Sequence, residues 1–228
     1  MKRLNNPSAI HVKYKLLVFD WDGTLMDSVN EIIYCFRCAA DDLHLPLPTD
    51  HQIKDIVGLA MPEAVSRLFS DQSADQRQAL IERYRHHYFL ADKTPSVLFD
   101  RVAEMLAELE NLGFFLAVAT SKGRRGLDAV LQRTGLEKVF HVTRTADESF
   151  SKPHPQMLID IMDYVGVAHH ETLMIGDSEY DLHMAKNANV DAVSVGCGVH
   201  DEKRLLDCQP MIHLNNTIDL LDWLTQQG

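Results

Sequence analysis

Residues 14–24 of this 228-residue chain read YKLLVFDWDGT, and this stretch decides the fold. The run up to Phe19 is almost wholly apolar, and Asp20 and Asp22 follow it abruptly. A short apolar run stopped by aspartate and glycine is typical of a strand buried inside a parallel sheet. We therefore predict a central strand over residues 14–19 with a polar turn at its carboxyl end.

The pattern changes after this turn. From residue 29 to residue 43 the apolar residues recur at helical spacing, and the sequence LPLP then ends the helix. Similar spacing predicts further helices over residues 50–57, 61–69 and 74–90. Since residues 27–94 contain no convincing strand, we predict an all-helical block there.

From residue 95 onwards, strands and helices alternate. The predicted strands cover residues 114–120, 139–142, 172–177, 191–195 and 211–214. The predicted helices cover residues 102–112, 123–134, 155–165, 179–187 and 218–224. This alternation indicates an α/β fold with a parallel sheet covered on both faces, and the helical block is an insert after the first strand.

Composition excludes several classes of function. The chain has 33 acidic and 22 basic residues, a net charge of −11, which argues against nucleic acid as a partner. No apolar run approaches the roughly 20 residues of a membrane helix. Residues 1–12 lack a signal peptide's apolar stretch, and we expect a loose polar lead. Cys35 and Cys38 form a lone CxxC within a predicted helix, so we expect no zinc site and a cytoplasmic location.

Polar side chains gather where the predicted strands end. Because ligands of parallel sheets lie beyond the carboxyl ends of the strands, we expect these side chains to share one crevice. They come from four segments, DWDGT, ATSK, SKPHP and GDSEYD. The residues concerned are Asp20, Asp22, Thr120, Ser121, Lys152, Asp177, Ser178 and Asp181.

These residue types suit phosphoryl transfer. A carboxylate such as Asp20 can attack phosphorus, and Asp22 can give a proton to the leaving oxygen and later take one from water. A third carboxylate, Asp177, would repel phosphate unless a divalent cation lay among them, and hard oxygen ligands suit Mg²⁺. Thr120 and Lys152 can neutralise the transferring oxygens.

The four segments resemble the motifs of the haloacid dehalogenase superfamily over residues 14–225. The resemblance implies a Rossmann-like core of residues 1–26 plus 95–228, and a helical cap of residues 27–94 like that of the phosphoglycolate phosphatase and β-phosphoglucomutase branch. We expect this cap to open and close over the sheet about hinges near residues 26–28 and 94–96.

The resemblance also assigns roles. Asp20 would be the nucleophile and Asp22 the acid/base. The metal Mg²⁺ would be held by Asp20, Asp177 and the backbone carbonyl of Asp22. Ser178 and Asp181 would support the site, with Asp181 ligating through water or orienting Lys152. Phosphate would be bound by Gly23, Thr24, Thr120, Ser121 and Lys152.

The expected activity is hydrolysis of a small soluble phosphomonoester through an aspartyl phosphate. Phosphoglycolate, a sugar phosphate and a nucleotide monophosphate all fit as substrates, and the sequence does not indicate an oligomeric state. A phosphomutase of the β-phosphoglucomutase type is the alternative, although residues 58–61 lack the arginine with which that branch grips a second phosphate. A non-catalytic phospho-acceptor or binding protein is a further alternative. Lys122 could equally reach the crevice or stay in solvent.

Overall fold

The computed structural model describes residues 13–90 and 95–226, so the predicted polar lead lies outside the described residues. The strands in chain order are β1 Leu16–Phe19, β2 Met26–Asp27, β3 Val97–Leu98, β4 Phe115–Thr120, β5 Val142–Thr145, β6 Thr172–Gly176, β7 Asp191–Val195 and β8 Ile212–Leu214. The helices are α1 Val29–Asp42, α2 Asp50–Lys54, α3 Met61–Leu68, α4 Ala74–Phe89, α5 Val102–Asn111, α6 Arg124–Thr134, α7 Gln156–Val165, α8 Glu179–Asn187, α9 Glu202–Asp207 and α10 Asp219–Gln226.

Six strands form a parallel sheet in the order β5-β4-β1-β6-β7-β8, which confirms the predicted α/β fold. The strand β1 lies between β4 and β6, and its side chains alternate between two apolar clusters. Leu17 and Phe19 pack on one face of the sheet, and Leu16 and Val18 pack on the other. This alternation follows from the two-residue period of a strand and explains the uninterrupted apolar run.

The helices α1–α4 enclose a third apolar cluster, which is separate from the two on the sheet. Two of these helices begin with capping boxes, in which Thr49 pairs with Gln52 and Ser73 pairs with Gln76. Within the described residues, no helix combines the length and the apolar composition needed to cross a membrane. The division into a core and a cap with the bounds given above stays a prediction.

The two chain segments that enter and leave the helical block pair with each other. Met26 lies opposite Leu98 and Asp27 lies opposite Val97, so β2 and β3 form a short antiparallel ribbon. The predicted hinges fall beside this ribbon, and residue 94 lies outside the described residues. Motion at these hinges stays a prediction.

One local strand prediction was wrong. The strand predicted over residues 139–142 runs instead over Val142–Thr145, because the apolar residues Val139 and Phe140 pack against the sheet cluster from a turn. Strand β5 is at the sheet edge, where polar side chains such as Arg144 can remain half-exposed. The short helix α9 was not predicted, since its six residues offer too little periodicity to detect.

Candidate active site

Three neighbouring strands bring Asp20, Thr120 and Asp177 together. Asp20 follows β1, Thr120 ends β4 and Asp177 follows β6. Because β1 lies between β4 and β6, the three residues emerge side by side at the carboxyl edge of the sheet. All three are buried, with at most 3% of the residue surface exposed. The sequence correctly indicated which residues occupy this edge.

Lys152 joins the group from the loop before α7. Its ammonium nitrogen Nζ lies 2.6 Å from Asp20 Oδ1 and 2.6 Å from Asp181 Oδ1, and its side chain is fully buried. The other oxygen of Asp181 accepts hydrogen bonds from the backbone and the hydroxyl of Ser178, at 3.2 Å and 2.6 Å. Asp181 is thereby fixed by its own helix N-terminus, and the Lys152 ammonium lies between the Asp181 and Asp20 carboxylates.

Asp177 is held from two sides. The Thr24 hydroxyl donates to Asp177 Oδ1 at 2.7 Å, and the Val199 amide donates to Oδ2 at 2.9 Å. Burial, with the charge of Asp181, raises the pKa of Asp177 to about 7, although these two hydrogen bonds lower it. A Cβ at Gly23 or Gly198 would overlap the Asp177 carboxylate, so glycine is required for this close approach.

We predict that Gly23→Ala destabilises the protein more than Gly113→Ala. Both glycines have positive φ, +87° and +93°, so alanine would cost about 1–2 kcal/mol at either position. A Cβ at Gly113 meets nothing within 4 Å, whereas one at Gly23 meets Asp177, which adds a further ~1–3 kcal/mol. Urea unfolding of both variants measures the difference. Equal losses would show that only backbone strain matters at Gly23.

The carboxylates of Asp20, Asp177 and Asp181 form one compact group. One oxygen from each lies within 4.8 Å of the others. Burial raises the pKa of Asp20 well above its ordinary value, and Asp181 and Asp177 add to this effect, while Lys152 opposes it. A divalent cation among these oxygens would relieve the repulsion. Hard oxygen donors are the ligands that Mg²⁺ and Ca²⁺ prefer, so the donor set fits such a cation.

Asp22 is held apart from that group. Its Oδ1 accepts from the Ser28 hydroxyl at 2.7 Å, and its Oδ2 lies 3.0 Å from Lys122 Nζ. The Lys122 ammonium also contacts the Tyr88 hydroxyl at 3.1 Å. Burial alone would lower the pKa of Lys122, but the Asp22 carboxylate raises it above its ordinary value. Sequence reasoning left Lys122 open, since a lysine just after a strand end can equally lie in solvent, and it missed Tyr88, which belongs to no recognisable pattern.

The other expected phosphate-binding residues have local partners. The Gly23 amide donates to the Met26 carbonyl at 2.9 Å, and the Thr24 amide donates to the Trp21 carbonyl at 3.4 Å. The Ser121 hydroxyl donates to the carbonyl of Gly58 in the helical block. Phosphate binding by these residues stays a prediction, as do the roles of the other site residues.

The helical block covers this edge of the sheet. A cavity of about 790 Å³ lies between them, with Asp20, Asp22, Thr120 and Lys122 on the sheet side. The opposite wall is mostly apolar, and it includes Ile32, Phe36, Val57, Leu59 and Met61. A cavity of this size and lining is ordinary for a small-molecule site.

Residues 58–61, which lack the arginine, form part of the contact with the sheet side. The Ala60 amide donates to the Ser151 hydroxyl at 3.0 Å. A Cβ at Gly58 would come within 2.9 Å of the Ser178 hydroxyl, so this glycine allows the loop to approach the site closely. Farther out, the Tyr180 hydroxyl donates to the Asp55 carbonyl at 2.7 Å.

Comparison with known proteins decides the family. A model named "Haloacid dehalogenase-like hydrolase" matches residues 17–195, which are most of the chain. The chain belongs to the haloacid dehalogenase-like hydrolase family. This confirms the resemblance drawn from the four motifs, and it establishes that the chain is an enzyme of the hydrolase class.

Two relatives illustrate what this hydrolase is similar to. It is 33% identical over 201 residues to a Dickeya dadantii protein named "Probable phosphatase IndB", covering 86% of this hydrolase and 87% of the relative. It is 30% identical over 217 residues to the phosphoglycolate phosphatase of Vibrio parahaemolyticus, covering 91% and 95%.

A solved structure shares the fold. The Haemophilus somnus protein described as a predicted phosphoglycolate phosphatase aligns with this hydrolase with a TM-score of 0.86. The alignment covers 93% of this chain and 99% of the other, at 22% sequence identity. At that identity the likeness supports the common fold of the two chains.

Proposed function

We propose that the hydrolase is a Mg²⁺-dependent phosphatase that takes the phosphoryl group of a small phosphomonoester onto Asp20. The observation that carries this proposal is the pairing of Asp20 with Lys152 at the base of the cavity, while Asp22 is held separately on the same turn. Two carboxylates with different partners can perform different tasks.

In the first step a carboxylate oxygen of Asp20 attacks phosphorus, and the bond from phosphorus to the leaving oxygen breaks. Asp22 donates its proton to that oxygen, so the product leaves as an alcohol. In the second step Asp22 takes a proton from water, whose oxygen attacks phosphorus and releases Asp20 with inorganic phosphate. Thr120 and Lys152 would bind the phosphoryl oxygens during both steps.

Asp20, Asp177 and the backbone carbonyl of Asp22 would hold Mg²⁺, with Asp181 close enough to assist. When bound, the cation would offset the negative charge of the carboxylates and the phosphoryl group. Lys152 would complete the balance of charge beside Asp20, since it already contacts that carboxylate in the protein alone.

We predict that Mg²⁺ raises the melting temperature more at pH 8 than at pH 6. Without a cation, folded Asp177 keeps its proton up to about pH 7, whereas the unfolded carboxyl releases it near pH 3.8, so the stability falls as the pH rises between these values. The proton on Asp177 therefore competes with Mg²⁺ more strongly at pH 6 than at pH 8. At a Mg²⁺ concentration 100 times the dissociation constant, the free energy of unfolding rises by about 2.7 kcal/mol, which raises the melting temperature by roughly 5–10 °C.

Calorimetric scans at both pH values, with Asp177→Asn as the control, measure this effect. The variant is expected to lose most of the stabilisation by Mg²⁺. An equal shift in the wild type and the variant would place the cation elsewhere on the protein.

Phosphate release from a panel of esters tests the function itself. The panel contains phosphoglycolate, sugar phosphates, nucleotide monophosphates and aryl phosphates, each with Mg²⁺ and with a chelator. Release that requires Mg²⁺ supports the proposal, and the ester with the highest kcat/KM begins to identify the substrate. A folded protein that releases phosphate from none of the esters would contradict it.

The phosphomutase alternative is weakened by the stretch at residues 58–61. Residues 58–61 carry no arginine, and their backbone contacts Ser121 and Ser151 beside the site. The phosphatase therefore remains the proposed function.

A further inference from the structure

Lys122 is a largely buried cation that the proposed chemistry has not used. It follows Thr120 by two residues, in the loop between β4 and α6, and its side chain is 9% exposed. Its backbone amide donates to the Thr120 hydroxyl at 3.2 Å, so the loop is tied to the strand end. A lysine this well buried requires a partner for its charge.

That partner is Asp22, and the pair has a defined geometry. Lys122 Nζ lies 3.0 Å from Asp22 Oδ2, while the Ser28 hydroxyl lies 2.7 Å from Oδ1. Each carboxylate oxygen thus has its own donor, and one of the donors is charged. Two contacts on opposite oxygens fix the rotation of a carboxylate about its Cβ–Cγ bond, and charge-assisted bonds hold most firmly.

The helical block fixes Lys122 from the other side. The Tyr88 hydroxyl, on α4, lies 3.1 Å from Lys122 Nζ, and the Tyr88 ring centroid lies 4.6 Å from it. On α6, a Cβ at Gly126 would come within 3.1 Å of Lys122 Cγ, so glycine leaves room for the lysine stem. The ammonium group is therefore set between the sheet edge and the helical block.

Asp20 has a different lysine. Lys152 lies 2.6 Å from Asp20, whereas Lys122 pairs with Asp22 and Tyr88. The two lysines thus serve the two carboxylates separately. We propose that Lys122, which contacts Tyr88, is a positioning residue that aims the Asp22 carboxyl at the leaving oxygen. The inference rests on the proposed phosphatase function.

The test uses two aryl esters that differ in their need for a proton. Phenyl phosphate has the poorer leaving group and depends on proton donation, whereas 4-nitrophenyl phosphate depends on it little. Positioned acid catalysis contributes about 10²–10⁴-fold, and a small misplacement can cost about 10²-fold. We expect Lys122→Met to lower kcat/KM about 100-fold for phenyl phosphate and less than about 10-fold for 4-nitrophenyl phosphate.

Two further variants separate positioning from folding. Lys122→Arg keeps the charge and is expected to recover part of the phenyl phosphate activity. Lys203→Met removes an exposed lysine of α9, whose side chain is 85% exposed, and is expected to leave both rates unchanged. Thermal melts verify that each variant is folded.

The outcomes are distinguishable. Equal losses for both esters in a folded Lys122→Met would overturn the positioning role, because a general loss of structure lowers both rates alike. A rise in KM alone, with kcat retained, would also overturn it and make Lys122 a substrate-binding residue. A wild type that hydrolyses no ester in the panel would overturn the proposed function and this inference with it.

Discussion

Replacing Asp20 by asparagine is expected to lower phosphate release by about 10⁴-fold or more for every ester that the wild type hydrolyses. The amide has the shape of the carboxylate but is a far weaker nucleophile, and removing a nucleophile costs losses of this order. The loss is expected in kcat with both leaving groups, since no ester can bypass the bond between Asp20 and phosphorus. This distinguishes it from the selective loss expected for Lys122→Met.

Rapid acid quenching followed by intact-mass measurement detects the phosphoryl-enzyme intermediate directly. The wild type is expected to carry a phosphoryl adduct during turnover, and Asp20→Asn is expected to carry none. Asp207→Asn, on the exposed face of α9, is the matched control for an aspartate-to-asparagine change. An adduct that persists in Asp20→Asn would move the nucleophile to another side chain, with Asp22 the first to examine.

Replacing Lys152 by methionine is expected to abolish activity and also to destabilise the fold. The lysine lies between Asp20 and Asp181, and its side chain and that of Asp181 are fully buried. Removing one partner from a buried charged group typically costs about 3–5 kcal/mol, because the remaining charges have no compensation. Burial already raises the pKa of Asp20 well above its ordinary value, and protonation of this carboxyl relieves the cost, so we expect a larger loss at pH 8 than at pH 5.

Urea unfolding without Mg²⁺ at both pH values measures this loss. In a double-mutant cycle, Asp181→Asn in the Lys152→Met background should recover part of the stability, since it removes one uncompensated carboxylate. Lys203→Met, at the surface, controls for the change of residue type and is expected to alter stability by less than about 0.5 kcal/mol. A pH-independent loss, or no recovery in the double variant, would show that Lys152 acts mainly through packing.

The sequence could predict those elements whose apolar residues recur with a clear period or stop abruptly at polar residues. The uninterrupted apolar run before Asp20 required a strand buried on both faces, which is how β1 lies in the sheet. The position of Thr120 and Asp177 then followed from a rule of parallel sheets, without knowledge of any contact. Lys152 was expected in the same crevice from its loop before a predicted helix, although a lysine before a proline loop is a weak signal by itself.

The contacts of Asp22 could not be predicted in the same way. Lys122 and Tyr88 are distant in sequence and come from different elements, and they meet because α4 packs over the loop after β4. Side-chain pairing of this kind depends on how two elements are placed, which a local pattern does not contain. The shift of β5 has a similar origin, since the edge of the sheet accepts polar residues that a buried strand would exclude.

The short ribbon of β2 and β3 has a consequence for how such enzymes diversify. Because Met26 lies opposite Leu98, the chain enters and leaves the helical block at adjacent points. The four helices connect β2 to β3 as a loop connects the two strands of a hairpin. Lengthening such a connection costs little closure entropy. We therefore expect the helical block to tolerate changes in length and sequence that leave the strand ends in place.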